Sequence, residues 1–302
     1  MKLWTVVSRV GILLIPFAPS LSRAQSLEPR LYLPFPTGTN LIAVSYLHSS
    51  GGVFIDGTPV TDAHATMNSV GLAFVRAFGL AGRSAQVQAV APLISGNARG
   101  LVSGQQRSRD LRGFADPQLR VAVNLVGGPA RRRAQLAGVR FGTIVGASLT
   151  LSLPLGHYES DRFVNVGANR WSVKPEIGLV QPIGGPWFVE AYVGVWLFGD
   201  NTAYLDTSTV TQKPLGTVQG HLIRLLGRRG WLALDATILR GGTTAVDGEA
   251  KTNFQSNSRV GATAAWFLGH GHALRAATSF GAFTRFGGDF TVFSVGYSYA
   301  WE

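Results

Sequence analysis

The segment Asp289 to Glu302 limits the possible folds of this chain more than any other. Thr291, Phe293, Val295, Tyr297, Tyr299 and Trp301 share one parity, and Ser294, Gly296 and Ser298 share the other. A period of two sends alternate side chains to opposite faces of a strand. One face therefore carries four aromatic rings and the other is small and polar. A soluble sheet buries its large face and seldom ends the chain on exposed rings. Apolar groups outside, small polar groups inside and rings at the end of the strand fit a strand that crosses a bilayer in a closed barrel. The final strands of bacterial outer-membrane barrels usually stop on the aromatic residue, so Glu302 is a departure.

The opposite end of the chain is consistent with export. Met1-Lys2 and Arg9 supply positive charge, Val10 to Ala18 an apolar core, and Ser22-Arg23-Ala24 small residues at the two cleavage positions. The apolar run is too short to span a bilayer, so residues 1–24 are expected to be a signal peptide. Residues 25–302 are then expected to form one outer-membrane β-barrel domain.

Only 14% of residues are charged and 46% are hydrophobic, yet no later segment forms a continuous apolar run of helical length. The apolar residues are instead spread in alternation and punctuated by 38 glycines. In hydrocarbon every backbone group must find a partner within the protein, which a closed set of strands provides. The absence of cysteine rules out a disulfide framework and thiolate metal sites. The net charge of +11 stays basic without Lys2, Arg9 and Arg23, but the cations are dispersed, and no basic helix or nucleic-acid motif accompanies them.

Twelve segments alternate: Thr39–His48, Thr66–Phe78, Arg83–Leu93, Pro117–Val126, Phe141–Leu153, Arg170–Gln181, Trp187–Phe198, Leu215–Leu225, Trp231–Arg240, Asn257–Leu268, Ala273–Phe283 and Asp289–Trp301. The links between them form a second pattern. Tight turns at Gly79–Gly82, Ile183–Pro186, Gly227–Gly230 and Gly269–His272 alternate with longer links at Ser49–Ala65, Ile94–Asp116, Leu155–Asn169, Gly199–Pro214 and Gly241–Ser256. Gly127–Arg140 and Thr284–Gly288 break the alternation. Short periplasmic turns and long external loops are the asymmetry of an outer-membrane barrel. The fold class is thus all-β, a transmembrane antiparallel up-and-down barrel of about 12 strands. A secreted soluble sandwich or lipocalin-like barrel is the competing architecture. Trp171, Trp187, Trp231, Trp266 and Trp301, with Tyr297 and Tyr299, lie near strand ends and favour interfacial girdles over it.

With the apolar parity facing lipid, the lumen receives Gln86, Gln88, Asn124, Tyr192 and His221, and a set of charges. These are Arg120, Arg170, Lys174, Glu176, Glu190, Asp235, Arg259 and Arg275. Charges within a spanning structure must be paired or wetted. The eight are candidate constriction residues, acting either as a polar filter for solutes or as a neutralising ladder in a filled barrel.

Enzyme chemistry finds little support. Gly156-His157-Tyr158-Glu159-Ser160-Asp161 concentrates polar groups in one external link, but adjacent loop residues do not make a nucleophile–base pair. The six histidines include no HExxH motif. No catalytic residue, metal site or cofactor is expected.

The phrases Gly82 to Gln88, Gly113 to Arg120, Asn165 to Gly178, Glu190 to Phe198 and Gly287 to Phe290, within a similarity running from about Pro36 to Trp301, resemble the outer-membrane family called "MetA-pathway of phenol degradation". The resemblance implies a transporter barrel associated with uptake of aromatic or other hydrophobic compounds; no catalytic residue is carried over. The expected partners are outer-membrane lipids and small-molecule solutes, with no nucleic acid, and the oligomeric state is left open. The expected function is passive passage of small solutes. An outer-membrane lipid-modifying hydrolase and a closed structural or adhesive barrel are the alternatives.

Overall fold

The computed structural model describes residues 27–54, 60–102, 104–136, 139, 141–162 and 164–302. The signal-peptide reading falls on residues outside these. The strands are β1 (Asn40–Phe54), β2 (Val60–Leu80), β3 (Arg83–Val102), β4 (Gln105–Phe114), β5 (Gln118–Val126), β6 (Ile144–Ser152), β7 (Ser172–Gly184), β8 (Trp187–Phe198), β9 (Asn201–Tyr204), β10 (Ser208–Gln212), β11 (Leu215–Leu225), β12 (Gly230–Gly241), β13 (Thr244–Val246), β14 (Glu249–Ala250), β15 (Gln255–Gly269), β16 (His272–Phe283) and β17 (Gly287–Trp301). One helical turn, α1 (Arg133–Leu136), lies between β5 and β6.

Twelve long strands form the wall. Each pairs antiparallel with its sequence neighbour, and β1 pairs with β17 from Asn40↔Trp301 to Phe54↔Gly287, which closes the barrel. All twelve alternating segments read from the sequence fall on these strands. No helix among the described residues is long and apolar enough to cross a membrane. Closure leaves no free sheet edge, which is what hydrocarbon demands.

The parities also agree. Along β5, Leu119, Val121 and Leu125 are exposed while Arg120, Ala122 and Asn124 are buried. Along β17, Phe293, Val295 and Tyr297 face out while Ser294 and Ser298 face in. One aromatic assignment is corrected. Trp231 is 0% exposed and packs inside against Ile223, Ala233 and Ala265, so it is not part of a lipid girdle. It shares the parity of Asp235 on β12, and strand geometry gives the two residues one face.

The tight turns obey backbone chemistry. Between β2 and β3, Ala81 and Gly82 both have positive φ, 48° and 76°, as a two-residue hairpin twisted to match its strands requires. The longer links hold more structure than alternation revealed. The wall strands β1, β2 and β3 run past the predicted ends into projecting ribbons, and β4 returns along the outer part of β3. The links after β8 and β12 contribute β9, β10, β13 and β14 to a separate four-stranded sheet at the outer end.

A buried carboxylate organises the link between β6 and β7. Asp116 accepts the amide hydrogens of Gly156 and Ala168, both at 2.8 Å. Hydrogen bonds to a charged group contribute about 1.5–3 kcal/mol each. Asp116→Ala is therefore expected to speed tryptic cleavage at the exposed Arg162 about tenfold or more, without loss of heat-modifiable migration. Unchanged cleavage would show that Asp116 does not tether this loop. In the same loop Glu159 is held below its ordinary carboxylate value of 4.5 by its hydrogen bond with His157, aided by Arg109 and Arg162 and opposed by partial desolvation. A depressed carboxylate stabilises the fold above its unfolded pKa and loses that contribution as pH falls through its folded value. Amide exchange at residues 157–162, corrected for its intrinsic pH dependence, should thus accelerate only below pH 4.5, and a Glu159→Gln variant should show the raised rate at all pH values.

Candidate functional site

The lumen is shaped by what alternation sends inward and by the chain that fills it. Residues 27–38 precede β1 and run from its periplasmic end into the barrel as an irregular segment. Leu31, Tyr32, Leu33 and Phe35 are all buried, and so are Glu28 and Arg30. Such a segment has no ladder of its own, so its backbone groups need wall partners. The Glu28 amide donates to Gln219 Oε1 at 3.2 Å, the Arg30 amide to Glu190 Oε2 at 2.7 Å and the Leu31 amide to the Tyr192 hydroxyl at 3.2 Å. Gln86 Nε2 donates to the Leu31 carbonyl at 2.9 Å. Pro29, Pro34 and Pro36 have no amide hydrogen to satisfy.

Two ion pairs of opposite sense fix this plug. Its Glu28 accepts from wall Arg120 at 2.7 Å, and its Arg30 lies 3.5 Å from wall Glu190. Glu190 also accepts from the Tyr192 hydroxyl, so both its oxygens are engaged. The reversed polarity sets the direction and register of the segment, since a shift would oppose like charges. Tyr32 provides the apolar lock. Its ring lies over Gly146 of β6 and Gly178 of β7, where an added methyl on either glycine would run into it, and it meets Tyr192 edge-on at 5.1 Å between centroids. Its hydroxyl reaches Ser148 at 3.0 Å and Glu176 Oε1 at 3.3 Å.

The other predicted lumen charges lie around and above the plug. Lys174 pairs with Glu176 at 2.8 Å, and Asp235 bridges His221 at 2.7 Å and Thr263 at 2.6 Å. Arg259 donates to the Phe290 carbonyl at 2.6 Å and to Ser279 at 3.1 Å. Arg275 is within electrostatic reach of Asp235 and Glu28. Arg170 stands apart at the outer mouth, hydrogen-bonded to Gln212 of β10 and stacked 4.8 Å from the centre of the Phe198 ring. On the inner wall of β6, β7, β8 and β11, the buried hydroxyls of Ser152, Ser172 and Thr217, Trp196 Nε1 and one Arg170 nitrogen have no protein hydrogen-bond partner. Residues 27–38 thus fill the inner half of the lumen, and partnerless buried polar atoms occur in both halves, with Arg30 Nε, Gln86 Oε1 and His221 Nε2 in the inner one.

Alternation located the wall charges but missed Glu28, Arg30 and Tyr32, because an irregular segment has no period. The inward set holds five cations and three anions, and the plug leaves that excess unchanged, since it adds Glu28 and Arg30 together. In the loop with catalytic-looking composition, Ser160 donates to Asp206 while His157 meets Glu159 at 3.2 Å. The serine and the histidine do not form a pair.

Residues 49–295 match the family described as "Putative MetA-pathway of phenol degradation". The chain belongs to this family. The sequence resemblance is thereby borne out, and membership, the closed barrel and the outward apolar band place this family member in the bacterial outer membrane. Among solved structures, the COG4313 outer membrane channel from Pseudomonas putida F1 is similar at a TM-score of 0.73 and 20% identity, covering 88% of this chain and 97% of that one. The beta domain of the Bordetella autotransporter BrkA is similar at a TM-score of 0.51 and 15% identity, covering 87% of this chain and 100% of that one. At these identities the likeness concerns the fold. No curated protein matches the chain.

The glycine socket makes a direct prediction. Gly178→Ala places a methyl against Tyr32 with no backbone strain, and overpacking of this kind costs about 1–3 kcal/mol. Amide exchange across residues 27–36 should then accelerate roughly tenfold or more while that of the wall strands stays constant. Equal protection in variant and parent would mean that Tyr32 does not anchor the segment.

Proposed function

We propose that this protein is a passive outer-membrane channel for small solutes, closed at rest by residues 27–38. The observation that carries this reading is how residues 28–36 are held: by side chains of the wall, while the backbone bonds of the segment to the rest of the chain lie at its base, from the Thr37 amide to the Arg131 carbonyl and from the Gly38 amide to the Ala77 carbonyl. Residues 28–36 can leave without breaking a strand pairing, so an intact barrel can exist with an emptied lumen. Arg120 and Glu190 are the anchors of the closed state; Lys174, Glu176, Asp235, Arg259 and Arg275 line the path the segment would vacate. Arg170 and the unpaired polar atoms beside it form the outer approach. Family membership makes aromatic or other hydrophobic compounds the first substrates to try.

The filled inner half favours a second reading, a closed barrel with a structural role. Flux into liposomes separates the two, using a small aromatic acid and a sugar of similar size. Removing one partner of a buried pair costs about 3–5 kcal/mol, so Arg120→Ala and Glu190→Ala should each raise flux about tenfold or more. Deleting residues 27–36 should raise it further. If correctly folded deletion protein passes neither solute, transport through the lumen is wrong and the charges are structural. Flux of both solutes without preference would keep the channel and remove the aromatic substrate class.

A further inference from the structure

Outside the lumen, the wall made by β1, β2, β3 and β4 changes character abruptly along its outward face. Tyr46, Val70, Leu93 and Phe114 sit opposite one another on the four strands and are all exposed and apolar. The next outward row toward the external end is His48, Asn68, Ser95 and Arg112. The row after that is Thr66, Asn97 and Asp110, which sets one carboxylate between the cations, and in the next His64 is opposite Arg99 and Arg99 opposite Ser108. One outward step is about 7 Å along a strand, so the apolar belt gives way to polar and cationic groups over a single step.

Two properties make this more than a wet rim. Among the described residues no carboxylate lies within ion-pair distance of Arg99 or Arg112, and the nearby Asp110 accepts instead from Asn97 at 2.9 Å. Below the apolar row, the same wall carries a furrow of about 540 Å³, floored by Ala89 and Ala91 of β3 and flanked by Leu72, Phe74 and Leu119. The lining is almost wholly apolar. Small residues between larger ones leave a slot on a surface that faces lipid tails.

We propose that this wall is a binding site for one molecule of the phosphorylated glycolipid of the outer leaflet. An acyl chain lies in the Ala89–Ala91 furrow, and Arg99 and Arg112 hold its phosphates. The position fits the chemistry: a guanidinium directs paired N–H donors at phosphate oxygens, and Arg112 stands one step beyond the apolar row and Arg99 three steps beyond it. His48 and Asn68 join in a hydrogen bond of 2.9 Å beside them, giving the sugar polar neighbours instead of hydrocarbon. An ordinary phospholipid offers one phosphate to this pair of cations, whereas a diphosphorylated disaccharide head spans both.

Native mass spectrometry of the refolded, heat-modifiable chain tests the assignment, with three probes: diphosphorylated lipid A, the same lipid stripped of phosphate, and phosphatidylglycerol. A single retained adduct of the diphosphorylated form is expected. Arg99→Gln and Arg112→Gln should each weaken it about fivefold, and Ala91→Phe should weaken it by filling the furrow. Arg224→Gln, on the outward face at the periplasmic end of β11, should leave it unchanged. Equal retention of the stripped lipid would overturn the phosphate contacts. Equal retention of phosphatidylglycerol, or equal losses in Arg224→Gln and Arg112→Gln, would reduce the site to nonspecific attraction and overturn the proposal.

Discussion

The absence of water in the bilayer core governs everything else in this molecule. A backbone polar group without a partner there costs several kcal/mol, so the sheet must close on itself, and β1 pairs with β17 along its whole length. Closure fixes the parity of every strand at once. A one-residue slip at any pairing would turn Arg120, Lys174 and Glu190 toward lipid, and that penalty is what makes the register unique. The same parity forces polar side chains into a narrow interior. The lumen charges are therefore a consequence of the wall, and the plug is a consequence of the charges. Glu28 and Arg30 give Arg120 and Glu190 the counter-charges that water would otherwise have to supply.

The wall was legible in the sequence because a period of two is simple and the lipid constraint permits few exceptions. The positions of Arg120, Lys174, Glu190 and Asp235 followed from parity alone. Trp231 was misplaced because its residue type outweighed its parity, although Asp235 four positions on had already fixed the face. The plug left no trace in any periodicity. Its backbone is held by Gln86, Glu190, Tyr192 and Gln219, residues distant in sequence, so its structure depends on a wall that must already exist. Gly146 and Gly178 read as ordinary strand glycines, and only the Tyr32 ring above them shows why those positions are bare. The outer ribbons and the four-stranded sheet were missed because strands that pair above the membrane need no lipid-facing stripe.

The interactions that hold the plug bear on whether the lumen can open. The anchors of residues 28–36 are two ion pairs, a few hydrogen bonds to side chains, the Tyr32 lock and the buried packing of Leu31, Leu33 and Phe35. The ion pairs and hydrogen bonds are made with groups that water can also satisfy. In the proposed open state Arg120 and Glu190 would not be stranded in hydrocarbon; they would face a lumen that fills with water as it empties of protein. The full penalty for an orphaned buried charge applies only to the dry, closed state. Opening therefore exchanges protein partners for water at nearly constant hydrogen-bond number, and the net cost is far below the sum of the bonds broken. The aromatic lock has no such compensation. Tyr32 loses its contacts with Tyr192 and the two glycines outright, and Leu31, Leu33 and Phe35 lose theirs with the wall, so the apolar packing of the segment should dominate the free energy of closure while the ion pairs set direction and register. A solute that enters from the outer half and competes for the Tyr32 socket would then loosen the stronger of the two holds on the plug, which links occupancy of the lumen to its opening by differential binding alone.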